Sequence, residues 1–442
     1  MNQPIRILLH MLAAMALCVA LLLLSACIPR GMIQKQSENS AQYFAERAPF
    51  AILIGDYVNA MQDNYSDTVL CDIAYFIDPA HPFASVIRAR YAHNEYEEAY
   101  ASYLSAVKGE VEPNMEYGRY WHGSLVYIRP LLMIMPIGGI RVLCGALAVG
   151  MQLGIAGILI RRGNRAFAVC WLAALMAVHP WMFFTSLEYG TAFLAASAAS
   201  LALLLTRSRT DDGTMPFFAV TGVVTCFVDF LTTETMTFTL PMLLLLAERH
   251  LSRAGKANVP GGAKEACLSV IKNGLCWLGG YVGMFLLKLG MLALVAGEEV
   301  MRSSLSEGLF RLGGEVRTAN ISTAPVVDFG TQLGGAVWHN LACLYPTHAG
   351  QMQAAGVWLA TLVIVAVGVA AVYLLHDGMK GECFLPMTLT ALVPYLRFLV
   401  LSNHSYVHFF ITYRAQMAAI AVFLFFVYEN GIRNLITASR SV

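Results

Sequence analysis

Apolar runs close to the length that crosses a bilayer recur along this chain, at 6–27, 140–160, 166–186, 190–206, 215–231, 235–248, 273–296, 356–375, 383–401 and 415–430. About 20 apolar residues in a helix span the hydrocarbon core. In lipid every backbone amide needs an internal partner, so such runs are helical. The expected fold is an all-α integral membrane protein with about ten transmembrane helices. Charge content agrees: 13% of residues are charged and mean hydropathy is +0.60, against roughly 25% charged in soluble domains. The pair 215–231 and 235–248 is short, and reads either as two thin helices or as a broken, partly re-entrant pair around Leu231-Thr232-Thr233-Glu234-Thr235.

Lys and Arg near the span ends set the expected orientation. Arg6, Arg161, Arg162, Arg165, Arg207, Arg209, Arg249, Arg253, Lys256, Lys264, Lys272, Lys380, Arg433 and Arg440 share one side when the N-terminus is cytoplasmic. Both termini are then inside, and two long loops, 28–139 and 297–355, face out. The expected organisation is a first transmembrane helix (1–27), the exterior loop (28–139), a helical bundle (140–248), a cytoplasmic loop (249–272) and a second bundle (273–442). Leu24-Ser25-Ala26-Cys27 has the form of a bacterial lipoprotein cleavage box, but the many spans that follow favour a retained transmembrane helix.

A net charge of +1 and the lack of aromatics among basic clusters give no nucleic-acid footprint. The cysteines have no CxxC spacing; Cys18, Cys144, Cys170, Cys226, Cys276 and Cys383 sit in apolar spans as small hydrophobes. Cys71 and Cys343 are exterior, and a bridge between them is open. There is no phosphate-cradling GxxxxGK[ST], no HExxH and no GxSxG. Gly138-Gly139 and Gly334-Gly335 read as close-packing or bending points, and His179 and His339 receive no role. No internal repeat marks a transporter of inverted halves.

The first exterior loop carries the chemistry. It reads as a short helix from Ser37 to Arg47, a longer one over 51–79 and another over 84–107 with Glu95, Glu97 and Glu98 among tyrosines. At 100° per residue Asp56, Asp63 and Asp67 fall within about 40° of one another, with Tyr57, Val58, Met61, Tyr65 and Val69 opposite. The plain reading is an amphipathic helix facing water; the functional one is a carboxylate that accepts a proton or holds a divalent cation. Tyr117, Arg119, Tyr120, Trp121 and His122 follow, and then an interfacial stretch around Arg129-Pro130. Ionisable residues at membrane depth line interiors or cavities. The topology puts Lys288, Asp229, Glu234, Arg397, His404 and Arg414 at the outer level with the Asp helix. An Asp229–Lys288 ion pair is the plain structural account of two of them.

EYGRYWHGSLVYIRPLL (116–132) and VLSNHSYVHFFITYRAQ (400–416) resemble segments of uncharacterised multi-pass bacterial membrane proteins. Those proteins, with DNYSD (63–67) and the overall layout, look like the GT-C superfamily of polyprenyl-phosphate-sugar glycosyltransferases. The resemblance implies a general base or metal ligand in the first exterior loop, which falls on Asp63 or Asp67. It also implies donors to the lipid phosphate, which fall on Arg119, His122, Lys288, His404 and Arg414, with Asp56, Asp229 and Glu234 as further candidates. The expected activity is glycosyl transfer at the outer face of a bacterial plasma membrane. The donor is a polyprenyl-phosphate sugar, and the acceptor is a cell-envelope glycan, lipid or protein. No cofactor is fixed by the sequence, and a divalent cation is the one it leaves open. The alternative is a non-enzymatic lipid or polymer transporter, or an assembly partner.

Overall fold

A computed structural model describes residues 2–206, 211–253, 262–319, 321–348, 355–374 and 381–432. Arg207, Arg209, Lys256, Lys380, Arg433 and Arg440, on which part of the orientation rests, lie outside the described residues. The chain is nearly all helical. A first helix, α1 (Gln3–Ala26), leads into a layer of short elements: α2 (Arg30–Ala45), β1 (Phe50–Ile52), β2 (Met61–Asp63), α3 (Asn64–Phe76), α4 (Pro82–Arg88), α5 (Ala99–Val107) and α6 (Leu125–Leu131). Long helices follow: α7 (Ile137–Arg161), α8 (Arg165–Ala177), α9 (Leu187–Leu205), α10 (Asp211–Val228), α11 (Met236–Arg253) and α12 (Ala263–Ala296). A second set of loop elements, α13 (Glu298–Gly313) and α14 (Phe329–Ala342), precedes α15 (Ala355–Leu374), α16 (Gly381–Val400), α17 (Ser402–Val407), α18 (Phe409–Thr412) and α19 (Met417–Val427).

Among the described residues five segments are long and apolar enough to cross a membrane: α1, α7, α9, α12 and 409–430. On the outside of the fold α1 exposes Leu8, Leu12, Leu17 and Leu24 at 50–67%, and α15 exposes Leu362, Val363, Ile364 and Val365. Apolar patches of that size on a helical surface belong against lipid. Inside, two large apolar clusters divide the protein, and a small third one gathers Val58, Trp338, Ala342, Cys343 and Tyr413. One joins α1, the first loop layer and the ends of α10 and α12 through Leu22, Phe44, Ile73, Trp121, Met284 and Leu292. The other joins α8, α9, α11, α16 and α19 through Trp171, Phe193, Phe238, Met387 and Phe425.

The region 215–248 forms two helices, α10 and α11, joined by a buried non-helical turn over 229–235. Helix α10 packs on α12 with almost no side chain between them. A Cβ on Gly222 would lie 1.9 Å from the Trp277 carbonyl oxygen, and one on Gly280 would lie 2.0 Å from that of Ala219. Helix α1 is an integral part of the bundle, with Leu22 and Ala26 fully buried, while Cys27 is exposed at its end.

The loop layer departs from the sequence expectation in three ways, and the bridge left open between Cys71 and Cys343 is not formed. The stretch 51–79 is not one helix. β1 and β2 pair antiparallel, with Phe50 opposite Asp63, around a turn in which Gly55 and Asp56 take φ of 54° and 58°. Asp56 is exposed in that turn, so the three-carboxylate face does not exist. The stretch 84–107 breaks after α4, where Ala89 caps the helix in the left-handed region. Arg129 is not an interfacial cation: it is buried, and donates to the carbonyls of Ser25 and Ile28 at 3.0 and 2.6 Å and to that of Ala74. Finally, Cys71 and Cys343 are free and sit in separate apolar clusters.

Candidate functional site

Where α3 begins, the chain needs acceptors for the first backbone N–H groups. Asp63 supplies them as the N-cap: one carboxylate oxygen accepts from the Ser66 amide at 2.8 Å and the other from the Ser66 hydroxyl at 2.9 Å. One turn on, Asp67 points the other way, into the protein. Its carboxylate takes the Arg141 guanidinium at 2.7 Å and the backbone amides of Leu187 and Glu188 at 2.8–3.1 Å. Asp67 thus caps the N-terminus of α9, where a negative charge is favoured. Burial pushes its pKa up, against the opposing pull of Arg141 and the Leu187 amide. Arg141 also donates to the Asp63 carbonyl at 3.2 Å and to the Asn64 side chain at 2.9 Å. The buried Asp67–Arg141 pair therefore ties the start of α3 to the start of α9.

That tie brings two carboxyls together. Glu188, in the first turn of α9, lies beside the Asp63 carboxyl and Ser66 in the same cavity wall, and its Oε2 is buried with no partner among the described residues. Among the described residues no group of three or more His, Cys, Asp or Glu side chains could hold a metal ion.

Asp63, Ser66 and Glu188 form one wall of a cavity of about 330 Å³. Its other walls are aromatic (Tyr65, Tyr91, Tyr117, Tyr120, Phe230) and basic (Arg119, Arg311, His404, His408). The Arg119 guanidinium lies 4.3 Å from the Tyr117 ring centre and 5.3 Å from that of Tyr120. Neither Arg119 nor Arg311 makes an ion pair among the described residues, whereas Glu116, the remaining acid of the wall, is held by Arg88. The cavity thus sets the Asp63 and Glu188 carboxyls, neither in an ion pair among the described residues, against two guanidinium groups that are likewise unpaired, with aromatic faces between them.

The histidines there are neutral, and His122 and His404 share one tautomer, with the hydrogen on Nε2. His122 sits at φ 53°, a position forced by the close approach of Gly123, whose amide donates to the Phe227 carbonyl at 2.9 Å. Its Nε2–H donates to the Tyr117 carbonyl at 2.9 Å, which leaves Nδ1 a bare acceptor. Burial, with Lys288 and Arg119 nearby, pushes its pKa down to about 3. His404 is the same: Arg397 donates to its Nδ1 at 3.3 Å, so the hydrogen is on Nε2. Burial and the neighbouring His408 and Arg397 hold its pKa well below the usual range. Arg397 is fixed in turn by Glu234 at 2.6 Å and by the Ser405 hydroxyl at 2.9 Å.

Of the residues singled out in the sequence, Asp63, Arg119, His122 and His404 line this cavity. Asp67, Glu234, Asp229, Lys288 and Arg414 do not. Lys288 donates to the carbonyls of Val86 and Ile87 at 3.2 and 2.9 Å, closing the end of α4, so the expected pair with Asp229 is not formed. Asp229 accepts instead from the Thr232 amide and hydroxyl. Arg414 donates to the Phe410 carbonyl at 2.7 Å and stacks between Tyr189 and Tyr413. Asp56 faces away in its exposed turn. Glu188, Arg311 and His408 were not anticipated. A signal existed for Glu188: it stands just before the expected span 190–206, at the same level as Asp63. No family model, curated protein or solved structure matches the chain, and the arrangement of the cavity stands on its own.

Proposed function

We propose that the protein is a multi-pass glycosyltransferase of the bacterial plasma membrane, similar to the GT-C superfamily. It has about ten spans, both termini cytoplasmic and the loop layer on the outer face. It moves a sugar from a polyprenyl-phosphate carrier to a cell-envelope acceptor. The observation that carries this reading is the Asp63–Glu188 pair facing Arg119 and Arg311 across an aromatic-lined cavity.

In this reaction the bond from the anomeric carbon to the phosphate oxygen breaks and a bond to the acceptor oxygen forms. The acceptor proton passes to the Asp63–Glu188 pair, which acts as the base. The polyprenyl phosphate leaves with the bonding electrons, and Arg119, Arg311 and the His404 Nε2–H stabilise its charge. Tyr117 and Tyr120 offer faces for the sugar ring, and the neutral His122 Nδ1 accepts from a sugar hydroxyl. Asp67, Arg141, Glu234 and Arg397 position these groups without touching substrate.

The test uses the purified full chain in nanodiscs with a panel of polyprenyl-phosphate sugars. Asp63→Asn keeps the N-cap and is expected to lose roughly a hundredfold or more in turnover with an unchanged melting temperature. Full turnover in both Asp63→Asn and Glu188→Gln would remove the pair from the chemistry.

A further inference from the structure

Helix α13 leaves the end of α12 after a single residue, Gly297, at φ 91°. Along its sixteen residues Met301, Leu305, Leu309 and Leu312 fall within about 80° of one another. Ser303, Ser304, Glu307 and Arg311 take the opposite side, with Phe310 among them. No residue of α13 is fully buried: along the stripe Met301 and Leu305 are half-buried, and Leu309 and Leu312 are 56% and 39% exposed. The stripe continues an apolar surface, because α12 exposes Leu278, Val282, Leu286 and Leu294 at 42–87% along the helix that leads to it. α12 is itself long and apolar enough to cross a bilayer. From the other side of α13, Arg311 reaches the cavity. α17 holds the end of the helix in place, with Ser402 donating to the Leu312 carbonyl at 3.0 Å and Asn403 to that of Gly314 at 3.2 Å.

We propose that α13 lies on the bilayer leaflet that borders the loop layer, with its apolar stripe in the lipid, and forms the lipid-side wall of the cavity. Arg311, on the inner side of that wall, meets the phosphate of a lipid that enters from the leaflet; this second half rests on the function proposed above. The occupant of the stripe is a lipid surface because the stripe is continuous with the lipid-facing side of α12. An interfacial helix of this kind buries its apolar face at the headgroup boundary and keeps its polar face out of the acyl region.

The experiment places p-benzoylphenylalanine at Leu309 in the full chain, in nanodiscs of palmitoyl-oleoyl phosphatidylethanolamine and phosphatidylglycerol, with a control at Tyr96, which is 87% exposed in the first loop layer. Illumination is expected to give a phospholipid adduct by intact mass at position 309 and none at 96. No adduct at 309, equal adducts at both positions, or a covalent dimer in place of the lipid adduct overturns the placement. With undecaprenyl phosphate added, Arg311→Gln is expected to keep the adduct at 309 and to weaken binding about tenfold. Unchanged affinity overturns the role of Arg311. A wild-type protein that gives the adduct but binds no undecaprenyl phosphate overturns the lipid-borne substrate, and with it the proposed function, while the placement of α13 stands.

Discussion

Asp63 and Asp67 are four residues apart on one short helix, yet they face different media. Asp63 is an N-cap whose carboxyl reaches the cavity, and Asp67 is a fully buried anion whose charge is matched by Arg141 and by two backbone amides. Removing one partner of a buried pair leaves the other charged and unsolvated, at a cost of about 3–5 kcal/mol. Asp67→Ala is therefore expected to lower the melting temperature sharply and to free both α3 and α9 at their starts, whereas Asp63→Asn leaves it in place. Thermal melts of the two variants in the same detergent check this, and equal melting temperatures would show that Asp67 is not the tie. Sequence spacing could not separate the two residues, because what distinguishes them comes from far away. Arg141 is 74 positions downstream of Asp67, and the amides of Leu187 and Glu188 are 120 and 121 downstream. Glu188 acquires its meaning only through that same long-range contact.

Helices were the most legible elements, since a bilayer-length apolar run admits few other folds. The expected spans 140–160, 190–206 and 273–296 fall within or against α7, α9 and α12. The loop layer was least legible. A period of 3.6 can be found in many short polar stretches, and over 51–79 it concealed two strands and a turn. Gly55-Asp56 was the missed signal, because a left-handed pair ends a helix and starts a turn. How helices pack was also beyond the pattern: Gly222 and Gly280 look like any glycine in an apolar run, but the structure puts each against the backbone of the facing helix. Gly222→Ala must push α10 and α12 apart and is expected to cost about 1–3 kcal/mol. Gly279→Ala, one position from Gly280 with nothing within 4 Å of the added carbon, is expected to be neutral or to gain up to about 1 kcal/mol. Melting temperatures that fall equally in both variants would mean that helix propensity, not the α10–α12 contact, sets the effect.

Across the whole molecule, three histidines from distant parts of the chain, His122, His404 and His408, line one cavity, and this makes the protein sensitive to acid. The His408 ring lies 4.5 Å from that of His404 and faces Arg311 and Arg397, and it is held neutral. Burial first, and then those two cations, push its pKa from 6.5 down to about 4. The unfolded chain takes up the proton near pH 6.5 and the folded chain only near pH 4, so protons bind preferentially to the unfolded state between those values. Stability is therefore complete above about pH 6.5 and declines as pH falls toward 4, by about 1.4 kcal/mol per pH unit for such a group. His122, pushed down to about 3, adds to the same slope over the same range. A glutamine at 408 keeps a polar side chain of similar reach without titrating there. The expected outcome is that His408→Gln has a shallower fall in melting temperature than wild type between pH 6.5 and 4.5, and the same dependence above pH 7. Parallel curves over the whole range would show that His408 takes up its proton at the same pH in the folded and unfolded chain. Its cavity wall would then turn cationic near pH 6.5 rather than near 4, and the division of the cavity into carboxyls, guanidinium groups and neutral imidazoles would have to be redrawn.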